Sequence, residues 1–171
     1  MSDASHLRFP PNTPSPPTGG PLIDPRGHRF GAALSVIVLL ASFVLGAPVL
    51  VAAVALALGV SAAFGTRYSV LGRPWPLVRR ALRIGPPAAP ESEYPPRFAQ
   101  ALGAIGLAIG GLLFALGATP WAWLPVAGVA ALQTLLAATG YCVGCRLYFL
   151  RWWVPALFDR LVGRPGPRLS S

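Results

Sequence analysis

The two cysteines of this chain stand three residues apart, in Gly140-Tyr141-Cys142-Val143-Gly144-Cys145-Arg146-Leu147-Tyr148, where a hydrophobic segment ends and arginines resume. A Cys-x-x-Cys pair puts two sulfurs on neighbouring positions of one helical face, with Cα atoms inside the ~4.4–6.8 Å range that a disulfide needs. Such a pair can be oxidised or reduced without large backbone motion. Three chemistries follow. The pair could exchange disulfides with a thioredoxin-like protein or a small thiol. One cysteine could carry a persulfide or receive sulfur from a sulfurtransferase. The two sulfurs could bind a soft metal such as Cu(I) or Zn. Zinc takes four ligands, and only His28 or a second subunit could complete the set, so metal ranks last. Against all three stands packing, because a free cysteine is a small apolar residue that fills space well.

Reactivity depends on local charge. Arg146 follows Cys145 directly and lies one turn after Cys142, where it favours a thiolate; the C-terminal end of a preceding helix disfavours one. If Gly140 ends that helix and a new turn starts near Tyr141, Cys142 gains the favourable position instead. The catalytic candidates are therefore Cys142 and Cys145, tuned by Arg146. No cofactor is evident, and a quinone or soft metal stays open. A complete electron relay across a membrane would need a second redox centre. The chain has no further cysteine and no histidine inside an apolar span to hold haem, so such a relay would depend on a quinone or a partner.

The elements that must position this stretch are hydrophobic. Of the 171 residues 54% are hydrophobic and only 11% charged, and the mean hydropathy is +0.58; soluble domains carry about 25% charged residues. The 14 basic residues are all Arg and give a net charge of +9. They fall between long uncharged blocks rather than on a polar surface, which argues against nucleic acid. Two cysteines do not make a disulfide scaffold. The first apolar run starts near residue 30 without a clean cleavage site, so it is expected to be retained.

Residues 1–24 form a Pro-rich tail, too poor in apolar residues for a core and expected to be disordered and cytoplasmic. Asp24-Pro25 suits a helix start. Arg26, His28 and Arg29 then approach the membrane; a proton-moving role for His28 is the sharper reading and an interfacial polar residue the plainer one. Residues 31–66 contain no Asp, Glu, Lys or Arg. Interrupted by Gly46-Ala47-Pro48, they predict a helical hairpin with arms of Phe30 to Leu45 and Val49 to Gly65. The polar connection from Thr66 to Arg97 contains an amphipathic stretch, Trp75 to Ile84, with Leu77, Val78, Ala81 and Leu82 on one face and Arg79, Arg80 and Arg83 on the other. It predicts a short helix in the membrane interface. Pro95-Pro96 is expected to precede a third span, Phe98 to Gly117, whose Gly106-x-x-x-Gly110 permits close helix packing, within the bundle or in a homo-oligomer. Trp121 and Trp123 suit an aromatic belt before a fourth span, Leu124 to Thr139, which could run on through Leu150. Gln133 within it is expected to face the bundle interior and tie helices together. Tyr148, Trp152 and Trp153 suit a second belt. Few ionisable groups lie in the spans, which argues against ion or solute transport.

The fold expected is therefore an all-α membrane protein of four transmembrane helices, with a short amphipathic interfacial helix between spans 2 and 3. The domains are the 1–24 tail, a 25–155 transmembrane domain, and a 156–171 amphipathic end piece and tail. All arginines lie in the N-terminal part, the central connection or the C-terminal part, and none in the two hairpin turns. The positive-inside rule then puts both termini and the cysteines at the cytoplasmic face. Arg97 and Gln100 share that face and are candidates to support the site.

Three ordered blocks resemble a known family: Asp24-Pro25-Arg26-Gly27 leading into Arg29-Phe30; Pro95-Pro96-Arg97-Phe98-Ala99-Gln100; and Gly140-Tyr141-Cys142-Val143-Gly144-Cys145 followed by Leu147-Tyr148. Together, over roughly residues 22 to 153, they resemble the bacterial four-helix membrane family known as domain of unknown function 4395. The resemblance implies the four-helix topology, a place in the bacterial inner membrane, and a cysteine pair that belongs to the family pattern. It also implies the company of thioredoxin-like and sulfurtransferase proteins. Tyr141 stands where Phe is expected, and Arg146 where an acidic residue is expected, which reverses the charge beside the sulfurs. The function expected is a thiol-disulfide or sulfur-handling membrane component. The alternative is a non-enzymatic scaffold or partner subunit whose cysteines only pack.

Overall fold

The computed structural model describes residues 22–85 and 91–148. Residues 1–21 of the Pro-rich tail, Trp152, Trp153 and the C-terminal end piece lie outside the described residues; the last residues assigned to the tail, 22–24, form β1 and the cap of α1. The elements run β1 (Leu22–Ile23), α1 (Pro25–Leu45), α2 (Val49–Phe64), a 3-10 turn (Thr66–Tyr68), α3 (Trp75–Ala81), β2 (Glu91–Ser92), α4 (Tyr94–Ala115) and α5 (Thr119–Thr139). Residues 143–148 are helical again (α6). β1 and β2 pair antiparallel, Leu22 opposite Ser92 and Ile23 opposite Glu91.

Local chemistry sets the helix ends. Asp24 caps α1 by accepting the Arg26 N–H at 2.9 Å, with Pro25 at the first helical position as the sequence predicts. Gly46 ends α1 in the left-handed region, φ 59°. The Ala47 N–H then bonds back to the Ser42 carbonyl at 3.0 Å, and α2 starts two residues later. Two starts come earlier than the sequence suggests. α4 takes Pro95 and Pro96 into its first turn, where a missing N–H has no helical partner to lose. α5 takes in Trp121 and Trp123 rather than following them. Trp123 packs edge-on between the rings of Phe43 and Phe114, at centroid distances of 5.0 and 4.9 Å, so it joins the two hairpins instead of serving a belt.

α1, α2, α4 and α5 form a ring in which α1 touches α2 and α5, and α4 touches α2 and α5. Leu39, Val51, Val54, Leu58, Leu107, Val126 and Val129 make the core. The fully buried set also includes Ser35, Ser42 and Ser61, while Val44 is 80% and Leu56 73% exposed. Serines share this interior with leucines and valines while further large aliphatics face outward, which suits a bundle whose solvent is hydrocarbon. Each buried serine hydroxyl donates a hydrogen bond: to the Gly31 carbonyl (3.0 Å), the Ala47 carbonyl (2.8 Å) and Gln100 Oε1 (2.6 Å), as a dry interior requires. Gly106 and Gly110 face α5; a Cβ on either would come within 2.8 Å of Val129 or Val126. This glycine stripe therefore works within the bundle.

Three helices, α1, α4 and α5, are long and apolar enough to cross a membrane. α2, the expected second span, is equally apolar but has 16 residues. At 1.5 Å per residue it measures about 24 Å, against a hydrocarbon core of about 30 Å.

The two hairpins close on each other by a reciprocal device. Arg29, near the start of α1, donates to the carbonyls of Ala137 (3.1 Å) and Ala138 (3.2 Å) at the end of α5. Arg97, near the start of α4, donates to Ala62 (3.0 Å) and Ala63 (2.7 Å) at the end of α2. Each guanidinium satisfies carbonyls that the helix leaves unpaired and meets the negative end of its dipole. The starts of α1 and α4 and the ends of α2 and α5 thus share one end of the bundle, and the cysteine segment emerges there. α3 docks at the same end. Its Trp75 indole donates to Asp24 Oδ2 at 3.0 Å, stacks near Phe30, and lies over Gly27, where a Cβ would stand 3.1 Å from the indole. α3 stops at Ala81, short of the expected Ile84.

Candidate functional site

Gly140 ends α5 in the left-handed region, φ 77°. The Arg29 guanidinium lies beside it, 3.4 Å from where a Cβ would be, an ordinary contact, so it is the backbone conformation that favours glycine here. Two residues later the helix restarts. Cys142 stands at the N-cap of α6: its carbonyl accepts the Arg146 N–H at 3.1 Å, and its sulfur accepts the Cys145 N–H at 3.2 Å. The sulfur does what a Ser or Asp oxygen usually does at this position. The fourth span ends at Thr139 as expected, without running on through Leu150, and the break at Gly140 puts Cys142 at a helix start rather than a helix end.

Cys142 and Cys145 are joined as a disulfide, with Cα atoms 5.2 Å apart. Gly144 between them lies flat on α4. A Cβ there would stand 2.7 Å from the Ala99 Cβ and 2.9 Å from its Cα. Tyr148 packs near the ring of Phe98 at 5.8 Å. The pair is thus pressed onto the first turns of α4 by a contact that only glycine permits.

His28 completes the group. An imidazole nitrogen of His28 and the two sulfurs all lie within 4.8 Å of one another. The His28 Nε2 is buried without a hydrogen-bond partner. His28 also lines four cavities in this part of the bundle. One, of about 230 Å³, is lined by Cys142, Cys145, Arg29, Arg146 and Glu91, so two positive charges and one negative charge border the sulfurs. A second, of about 120 Å³, runs from Cys142 into the bundle past Gln100 and Gln133 and is otherwise mostly apolar.

The sequence-predicted residues divide accordingly. Arg146 is exposed, with its guanidinium over the Tyr141 ring at 5.4 Å, and borders the sulfur cavity. Gln100 lines the apolar cavity, and its Oε1 accepts the Ser61 hydroxyl, so the observed polar tie is Ser61–Gln100 rather than Gln133. Arg97 does not join the cysteines. Its guanidinium is taken by the end of α2 and by Glu93 Oε1 at 3.4 Å. Glu93 in turn accepts the Thr66 hydroxyl at 2.9 Å. His28 is the residue that sequence reasoning set aside as interfacial. The arginine distribution already placed it on the same face as the cysteines. What it could not give was the contact between α1 and α5 that brings them together.

The same residues bear on ancestry. No curated protein and no solved structure shows significant similarity to this chain. A family model described as Domain of unknown function (DUF4395) matches residues 23–152. That span takes in the α1 start with His28 and Arg29, the α4 start with Arg97 and Gln100, and the cysteine turn. The chain belongs to the DUF4395 family.

Proposed function

We propose that this protein is a thiol-disulfide or sulfur-handling component of the bacterial inner membrane, in which Cys142 and Cys145 cycle between disulfide and dithiol at the cytoplasmic face. The observation that carries the reading is the placement of the bond. It closes a loop within one helical turn and joins no two elements, so it holds nothing together that the bundle does not already hold. Its surroundings favour exchange. Arg29 and Arg146, set against the single carboxylate of Glu91, attract an incoming thiolate, and His28, with a ring nitrogen within 4.8 Å of both sulfurs, is near enough to take the proton of the incoming thiol.

In exchange, a partner thiolate attacks one sulfur, the Cys142–Cys145 bond breaks, and the departing sulfur leaves as a thiolate and takes a proton. A second thiol of the partner then resolves the mixed disulfide. The net result is a reduced pair and an oxidised partner, and a thioredoxin-like dithiol supplies the two electrons. In the sulfur-transfer variant the reduced thiolate receives a sulfane sulfur from a sulfurtransferase. The four-helix topology with both termini cytoplasmic follows from the arginine distribution, with α2 as the short fourth span. α3 and the residues just after it suit the interface, with exposed Leu77 on the helix and Leu82 at its cap toward lipid and Arg80 toward headgroups.

The second reading, a scaffold whose cysteines only pack, draws on the Gly144–Ala99 contact, which uses the turn as a packing surface. Single Cys142→Ser and Cys145→Ser variants expressed in cells separate the two. The thiol reading expects one of them to accumulate a mixed disulfide with a thioredoxin-like or sulfurtransferase protein. If neither variant forms one and the double variant is indistinguishable from wild type, the packing reading holds.

A further inference from the structure

The His28–Cys142–Cys145 group gathers three metal-ligating side chains, with the two sulfurs joined to each other in the oxidised state and free to separate once reduced. Metal–sulfur bonds of about 2.3 Å and metal–nitrogen bonds of about 2.0–2.1 Å place ligands around a three-coordinate ion roughly 4 Å apart. The three candidate ligand atoms all lie within 4.8 Å of one another. Among the described residues, no further His, Cys, Asp or Glu joins them. The donor set is therefore two sulfurs and one imidazole, with no carboxylate. Hard cations that prefer oxygen ligands are excluded, and the fourth ligand that zinc takes in structural sites is missing from the group. Soft thiolate donors at low coordination number select monovalent copper.

Two further observations point to a ligand. The His28 Nε2 is buried and unclaimed by any protein group, a costly state for a polar atom, so the ring is not committed elsewhere. Two thiolates on a monovalent ion leave a net negative charge, and the same 230 Å³ cavity is lined by two cations, Arg29 and Arg146, against one carboxylate, Glu91, an excess of positive charge that balances it.

We infer that the reduced pair, together with His28, binds one Cu(I) ion in a three-coordinate S2N site. The inference rests on the pair being reducible, as proposed above. A dithiol first reduces the disulfide, two electrons and two protons giving two thiols. Cu(I) then displaces the two thiol protons, forms two copper–sulfur bonds, and keeps its oxidation state. Disulfide and copper are mutually exclusive occupants of the two sulfurs, so metal loading reports the redox state of the pair.

The test uses the full-length protein in detergent, reduced with a phosphine under nitrogen and titrated against Cu(I) held by a chromophoric chelator. The reduced protein is expected to withdraw one equivalent, and the oxidised protein none. His28→Ala should weaken retention at least about tenfold, since even residues behind metal ligands contribute 10–100-fold. X-ray absorption of the copper-loaded wild type, which needs no variant to fold, should show two sulfurs and one imidazole nitrogen. The inference is overturned if His28→Ala retains copper as wild type does, if the spectrum shows sulfur alone, or if the protein takes up zinc but withdraws no copper. Thiol counts on the same samples separate the two readings. Two free thiols without copper uptake defeat the copper site and leave thiol exchange standing. A pair that no reductant opens defeats both.

Discussion

Gly144 shows how much a single hydrogen in place of a methyl group controls here. Its Cα lies so close to α4 that a Cβ would overlap Ala99. Gly144→Ala must therefore lift α6 off α4 or strain the backbone, at a cost of about 1–3 kcal/mol. The expected outcome is a lower melting temperature in detergent together with faster maleimide labelling of the reduced cysteines, because the turn no longer rests on the bundle. His28→Ala should do the reverse: little change in melting temperature, since its Nε2 makes no hydrogen bond, but slower exchange of the pair with a dithiol. A stopped-flow reduction assay checks it, and an unchanged rate removes His28 from the proton-handling role. At this scale the sequence was informative about Cys142, Cys145 and Gly140, because spacing and residue type carry their own chemistry. It raised His28 as a candidate without fixing its place and was uninformative about Gly144, because the importance of both comes from neighbours, 114 residues away for His28 and 45 for Gly144.

The helices were legible because their apolar runs and Pro or Gly stops are local. Asp24-Pro25 and Gly46 mark the ends of α1 as written. The errors have a local physical cause. Proline reads as a breaker, yet Pro95, Pro96 and Pro120 sit in first turns, where a helix N–H has no partner to lose. The reciprocal capping by Arg29 and Arg97 was hidden, since an arginine near a membrane face reads first as a headgroup contact. It makes a prediction. Arg29→Gln and Arg97→Gln each withdraw the charge from a helix end, costing about 0.3–1 kcal/mol. Arg97→Gln should cost more, because it also leaves the buried Glu93 carboxylate without its cation. Melting of both variants in the same detergent gives the order; a larger loss for Arg29→Gln would contradict it. Ser61→Ala, which leaves Gln100 Oε1 without its donor, should cost about 1 kcal/mol.

Considered whole, the molecule is a ring of four helices with leucines, valines and serines inside and further large aliphatics outside. The capping arginines, α3, the β1–β2 pair and the cysteine turn gather at one end. That asymmetry gathers the candidate site residues at one end of the bundle. In a background with both cysteines replaced by serine, Ala47→Cys in the α1–α2 turn should react with an impermeant maleimide applied outside intact cells, and Ser69→Cys should not. The opposite pattern would invert the topology. The class of membrane helical protein was readable from composition alone. The ring order was not, because nothing local in an apolar helix says which neighbour it will touch.

Most direct is a redox titration of the wild-type protein in native membranes. Samples are equilibrated across a series of thiol–disulfide buffers, quenched in acid, and tagged with a high-mass maleimide that counts free thiols. A cycling pair gives a single two-electron transition from no tags to two within the range set by cytoplasmic dithiols, shifted by Gly144→Ala. A protein that carries the same number of tags at every potential contradicts the central claim, and Cys142 and Cys145 are then packing residues of a scaffold.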